Sequence, residues 1–141
     1  MIYTDLTKKA MILAYEAHRE QEDRSGVPYV FHPLHLAEQM ETEETTVAAL
    51  LHDVAEDTDY TLADLREMGF PEPVLEALAL LTHDPAVPYL DYVRALKDNP
   101  IARAVKLADL THNSDLTRLD QVRQKDLERV EKYRRAMEIL R

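Results

Sequence analysis

Residues 50–58, LLHDVAEDT, place one histidine and three carboxylates within nine positions. His52 and Glu56 are four apart, as are Asp53 and Asp57. On a helix advancing about 100° per residue, with His52 at zero, Glu56 falls at about 40°, Asp53 at about 100° and Asp57 at about 140°. Val47, Leu50 and Val54 gather between about 160° and 220°, so one side is polar and the other apolar. No lysine or arginine occurs from Met40 to Tyr60, whereas Glu41, Glu43 and Glu44 add charge of the same sign. Like charges at helical spacing repel, so an uncompensated cluster calls for an external cation. A histidine beside an aspartate supplies one nitrogen and one oxygen ligand, a set suited to Zn, Mn, Fe, Co or Ni. The competing reading is the solvated face of an ordinary helix.

Two distant segments extend the cluster. His32 ends the glycine- and proline-containing run DRSGVPYVFHP, where Pro33 can hold it rigidly. Asp109 lies in VKLADLTHN, three residues after Lys106 and four before Asn113. His32, His52, Asp53 and Asp109 would supply two imidazoles and two carboxylates. On an octahedral ion that set leaves positions open for water and substrate, as catalysis requires.

The elements that must position these residues read as helices almost throughout. Leu6, Ala10, Leu13, Ala14 and Ala17 form one apolar stripe, with Thr4 or Asp5 as its cap. Residues 23–33 read as a loop, followed by a short helix over about 34–40 and an acidic turn, ETEETT. Thr45 or Thr46 is expected to begin the helix that carries His52. Thr61 caps a short helix ended by Gly69 and Pro71, and Val74, Leu75, Leu78 and Leu81 mark a buried helix. Two further helices are expected over about 89–97 and 101–110. A last one, within about 122–141, has Leu127, Val130, Tyr133 or Arg134, Met137 and Leu140 on one side. The expectation is an all-α bundle of about seven or eight helices, with residues 1–141 forming one domain.

Composition narrows the function. Seventeen basic against 27 acidic residues give a formal charge of −10. That balance argues against nucleic acid as a partner, while a bound cation could reverse the sign locally for a small phosphorylated ligand. There is no cysteine, so thiolate metal sites and thiol nucleophiles are excluded. With only Gly26 and Gly69, no G-x-G-x-x-G turn or glycine-rich phosphate loop exists. Apolar runs are too short for a membrane span, and charged residues interrupt the first segment where a signal peptide would need to be apolar. A cytoplasmic protein is expected; self-association is left open.

The ordered segments GVPYVFHP, AALLHDVAEDT and VKLADLTHN resemble the HD-domain metal-dependent phosphohydrolases. The match is to the hydrolase domain of the RelA/SpoT alarmone enzymes and their small stand-alone relatives, over about residues 17–113. The resemblance implies that His32, His52, Asp53 and Asp109 are metal ligands, with Mn²⁺ the usual ion and Fe, Co, Ni, Zn or Mg as alternatives. It makes Glu56 and Asp57 the acidic pair that activates or positions the attacking water. Asn113 becomes a substrate contact, Arg24 part of the loop that approaches the nucleotide, and Lys106 a further positive charge toward the phosphates. The implied reaction removes the 3′-pyrophosphate from guanosine tetra- or pentaphosphate. Alarmone synthesis is not expected, because no synthetase segment is present. The alternative is a catalytically weak HD module that binds metal or nucleotide for regulation.

One departure stands out. Relatives carry two adjacent basic residues before the serine-glycine of this loop, the first stacking on guanine, whereas here the pair is Asp23-Arg24. An acid provides neither the planar stacking nor the cation–π contact of arginine. Among the remaining residues, His18 reads as a packing histidine, His35 as structural or adjacent to His32, and His83 as part of a turn. His112 is a pocket candidate. Tyr29 either orients the His32 loop or fills the core beneath it. Tyr89 and Tyr92 read as packing, and Arg118, Arg123, Arg129, Arg134 and Arg135 as solvated.

Overall fold

The computed structural model describes residues 1–141. Eight α-helices follow one another: α1 (Asp5–Ala17), α2 (Phe31–Glu38), α3 (Glu43–Asp57), α4 (Leu62–Glu67), α5 (Glu72–Leu81), α6 (Tyr89–Leu96), α7 (Pro100–Asn113) and α8 (Gln124–Leu140). A 3₁₀ turn over Leu116–Arg118 links the last two. The all-α bundle is therefore as expected.

Helix starts follow local chemistry. Thr4 and Thr61 cap α1 and α4 through their side-chain oxygens, and Asn99 caps α7, with Pro100 in its first turn. Two starts differ from the sequence reading. Thr42, not Thr45 or Thr46, caps α3: its Oγ1 accepts from the Thr45 N–H, and Thr45 Oγ1 accepts from the Thr42 N–H. The helix thereby gains an exposed acidic first turn, Glu43 and Glu44, which suits the positive end of its dipole. Helix α2 begins at Phe31, so His32 and Pro33 belong to its first turn. Proline is tolerated there because the first N–H groups of a helix have no intrahelical partner.

Helix α3 is the centre of the bundle and packs against α1, α2, α5 and α7. Every residue from Thr46 to Val54 is buried, His52 and Asp53 included. The polar half, which the competing reading would leave solvated, is turned toward α2 and α7 at His52 and Asp53. Apolar residues of α1 to α8 form one continuous core around it.

Helix α8 also departs from its expected stripe. Ala136 and Leu140 are buried, but Leu127 is 48% exposed and Asp126 is buried in its place. The helix packs on α6 and α7, and its first turn is pinned by Asp126, which accepts from the Arg123 N–H at 2.9 Å. The loop between α1 and α2 is closed by an isolated antiparallel bridge between Glu22 and Pro28. Its tip passes through Gly26 at φ +79°, a conformation that favours glycine. No helix is long and apolar enough to cross a membrane.

Candidate metal centre

Helices α2, α3 and α7 bring His32, His52, Asp53 and Asp109 together in one buried cluster. His32 Nε2 lies 2.9 Å from Asp109 Oδ1 and 3.7 Å from Asp53 Oδ2. His52 Nε2 lies 3.1 Å from Asp53 Oδ2 and 3.7 Å from Asp109 Oδ1. His32, His52 and Asp109 each offer a donor atom within 4.8 Å of the other two.

Hydrogen bonds around the cluster aim these atoms inward. His52 Nδ1 is 2.7 Å from the Ala49 carbonyl, which can only accept, so Nδ1 carries a proton and Nε2 is the ring nitrogen turned to the cluster. That Nε2 is buried without a hydrogen-bond partner. A buried ring nitrogen with no hydrogen-bond partner, set between two carboxylates, fits a cation. His32 Nδ1 lies 2.7 Å from His112 Nδ1, and a hydrogen donated by His32 leaves its Nε2 free to ligate. His112 suits the acceptor role, because burial and then Arg118 push its pKa down to about 4. His35 stacks on His112 with ring centroids 4.1 Å apart.

The carboxylates are held with equal care. Tyr29 donates to Asp53 Oδ2 at 2.9 Å, and burial with the Asp53 charge raises the phenol pKa, keeping it a donor. Asn113 Nδ2 donates to Asp109 Oδ1 at 3.0 Å, and Lys106 Nζ to Asp109 Oδ2 at 3.0 Å. Lys106 also lies over the Tyr92 ring, 5.3 Å from its centroid.

The electrostatics match a cation site. Burial alone would lower the His52 pKa, but Asp53 and Asp109 outweigh it and raise the imidazole well above its ordinary value. Burial would raise Asp109, yet Lys106, His32 and His52 hold it well below the usual carboxylate range. Asp53 is lowered against its own burial by His52. Glu56 and Asp57, at the exposed C-terminal end of α3, move the other way. Partial burial raises Glu56, with Asp57 and Asp53 adding to it against Lys106. Burial and Asp53 raise Asp57. The two acids are thus set apart from the ligand pair by their proton affinity.

A cleft of about 270 Å³ opens beside the cluster. His32 and Asn113 connect it to the centre, and Arg24, Arg118, Arg129 and Tyr133 are among its walls. Of the three substrate-contact candidates, Arg24 and Asn113 line this cleft, while Lys106 is turned toward Asp109 instead. Asp23 is absorbed in the loop: its Oδ1 accepts from Ser25 N–H at 2.8 Å and Val27 N–H at 3.0 Å, and its Oδ2 faces Arg118 at 3.6 Å.

Sequence reasoning missed Arg118 and Arg129, which it took as solvated. Arg118 donates to the His112 carbonyl at 2.9 Å, and Arg129 to Asp126 at 2.9 Å. Arg118 sits in a 3₁₀ turn, where no helical periodicity could place it; Arg129 had a signal in Asp126 three positions before it. His83 forms a turn, its Nε2 bonded to the Val87 carbonyl, and His18 packs beside Tyr29.

Fold and cluster together define an all-α helical bundle with a buried His/Asp group able to hold a metal ion. No family model matches the chain. Human MESH1, a guanosine-3′,5′-bis(diphosphate) 3′-pyrophosphohydrolase, is 37% identical over 125 residues, spanning 78% of this chain and 69% of that protein. The Aquifex aeolicus enzyme with the same activity name is 35% identical over 118 residues, covering 75% of this chain. Escherichia coli SpoT, a bifunctional (p)ppGpp synthase/hydrolase, is 35% identical over 121 residues. The matched region is only 17% of the length of each of these two proteins. A solved structure of a metazoan SpoT ortholog that hydrolyses ppGpp superposes with a TM-score of 0.77 at 25% identity, covering 100% of this chain and 88% of that one. The chain belongs to the (p)ppGpp 3′-pyrophosphohydrolase family.

Proposed function

We propose that this protein is a cytoplasmic, divalent-metal-dependent phosphohydrolase that removes the 3′-pyrophosphate from guanosine tetra- or pentaphosphate. The observation that carries the reading is the orphaned His52 Nε2, aimed by Ala49 into a pocket shared with His32, Asp53 and Asp109. Those four residues would hold the ion, with Mn²⁺ the first candidate. A divalent cation there supplies a water of lowered pKa and charge neutralisation for the phosphate oxygens.

The chain's own residues do the rest. Glu56, with its raised proton affinity beside the ligand pair, accepts the proton of the attacking water, and Asp57 orients that water. The water oxygen bonds to the 3′-linked phosphorus as the P–O3′ bond breaks, and the proton taken by Glu56 is returned to the 3′-oxygen, so the products are pyrophosphate and a 3′-hydroxyl. Asn113 ties the substrate cleft to Asp109, and Arg24 adds positive charge at the cleft rim. Lys106 holds Oδ2 of Asp109 while Oδ1, which also accepts from Asn113, faces the two imidazoles, and Lys106 lends its charge to the phosphate side of the centre.

The test is a phosphate- and pyrophosphate-release screen with Mn²⁺ over a nucleotide panel that includes the 3′-pyrophosphorylated guanosines. Pyrophosphate release from those members is expected, and its loss together with bound metal in His52→Ala. No release from any nucleotide by metal-loaded protein would overturn the hydrolase and leave the regulatory module.

A further inference from the structure

The cleft beside the metal centre holds two arginine stations that differ in charge balance. At one, Arg24 and Arg129 share a single carboxylate, Asp126 Oδ1, at 3.5 and 2.9 Å. Two guanidinium groups against one acid leave a positive charge unspent, which suits an anionic group. At the other, Arg118 is opposed by its own carboxylate, Asp23, at 3.6 Å. Its Nη1 donates to the His112 carbonyl at 2.9 Å and approaches Asn113 Oδ1 at 3.5 Å.

Arg118 is therefore both neutralised and tethered from two directions, by the α1–α2 loop and by the end of α7. A guanidinium whose edge is committed to acceptors retains its flat faces, and those bind the plane of an aromatic ring. The side chain is 26% exposed and lines the cleft along with Leu119 and Tyr133, which add apolar and aromatic wall. Arg24 is a weaker support for a flat ring, being 66% exposed and held by one 3.5 Å contact.

We propose that Arg118 is the side chain on which the nucleobase of the substrate lies, and that Asp23 is its positioning residue. The inference rests on the reading of the substrate as a nucleotide. It turns the acid at position 23 from an obstacle into a support: Asp23 shapes the loop with one oxygen and orients Arg118 with the other.

Calorimetric titration of the Mn²⁺-loaded protein with GDP and, separately, with inorganic pyrophosphate tests this without requiring turnover. Arg118→Ala should weaken GDP about tenfold and leave pyrophosphate unchanged. Arg118→Lys, which keeps the charge but lacks the plane, should not restore GDP binding. Asp23→Asn, which keeps the loop acceptor and removes the charge facing Arg118, should give a smaller loss. In turnover these losses should appear in KM, with kcat retained. GDP affinity unchanged in Arg118→Ala, or fully restored in Arg118→Lys, would overturn the assignment to Arg118 while leaving the hydrolase reading intact. Wild-type protein that binds pyrophosphate but neither GDP nor any other nucleotide would overturn both.

Discussion

In the proposed site, proton and metal would compete for the same atom of His52, Nε2. Because Asp53 and Asp109 raise its pKa well above 6.5, loading an ion near neutral pH must displace a proton. Mn²⁺ affinity should therefore fall about tenfold per unit as pH drops below that raised pKa, and level off above it. Titrations from pH 6 to 9 would read this, and a flat profile would contradict the assignment. Without metal the sign reverses: a raised histidine pKa contributes stability that is complete below 6.5 and is lost as pH rises through the folded value. Metal-free protein should accordingly melt at lower temperature in mildly alkaline buffer. The depressed Asp109 and Asp53 contribute the opposite dependence, stability present above 3.8 and lost in acid. In the proposed mechanism, Glu56 separates chemistry from binding. Glu56→Gln should keep the metal while lowering turnover by about a hundredfold or more. Metal analysis beside a rate assay distinguishes the two, and equal activity would place the proton transfer elsewhere.

At the scale of elements, side-chain caps set where two of the site-bearing helices, α3 and α7, begin. Replacing Thr42 by Ala removes the side-chain acceptor for the Thr45 N–H and should cost about 1 kcal/mol in a denaturant titration. Thr61 was legible as a cap because an apolar residue follows it at once. Thr42 was not, since Glu43, Glu44 and Thr45 put no apolar residue in the first turn and Val47 drew the expected start inward. The end of α7 was hidden for the same reason: Thr111, His112 and Asn113 continue the helix without extending its stripe. Pro33 misled in the other direction, because it reads as a boundary but occupies a first turn. The four ligand candidates could be collected from sequence because each sits in a short ordered motif. The cleft wall could not, for it is built from a loop and a 3₁₀ turn, where spacing in sequence says little about neighbours in space. The burial of His52 and Asp53 was equally unreadable, since a helical wheel reports sidedness and not what packs against the polar side.

For the whole molecule, the central position of α3 makes the candidate metal centre part of the core. Two imidazoles and two carboxylates are buried among α2, α3 and α7, and an ion that compensates them binds the folded state alone. At a free concentration a hundred times Kd, such an ion should add about 2.7 kcal/mol of stability. A thermal melt with and without chelator measures the gain, and no shift would argue against an internal site. The formal charge of −10 agrees with this arrangement, because the phosphates of a substrate then meet local cations set in an otherwise acidic surface.

The candidate metal donors and the cleft walls come largely from different stretches of chain. His32, His52, Asp53 and Asp109 lie on packed helices, whereas Arg24, Arg118 and Arg129 come from residues 22–25 and 115–133. A combinatorial library at the exposed positions of those two outer stretches, with Asp23 and Asp126 kept, would explore new substrates while leaving the helices of the four donor candidates intact. In such a scaffold, selectivity and hydrolytic power are separable traits. An engineer could rewrite what enters the cleft while inheriting the reaction unchanged.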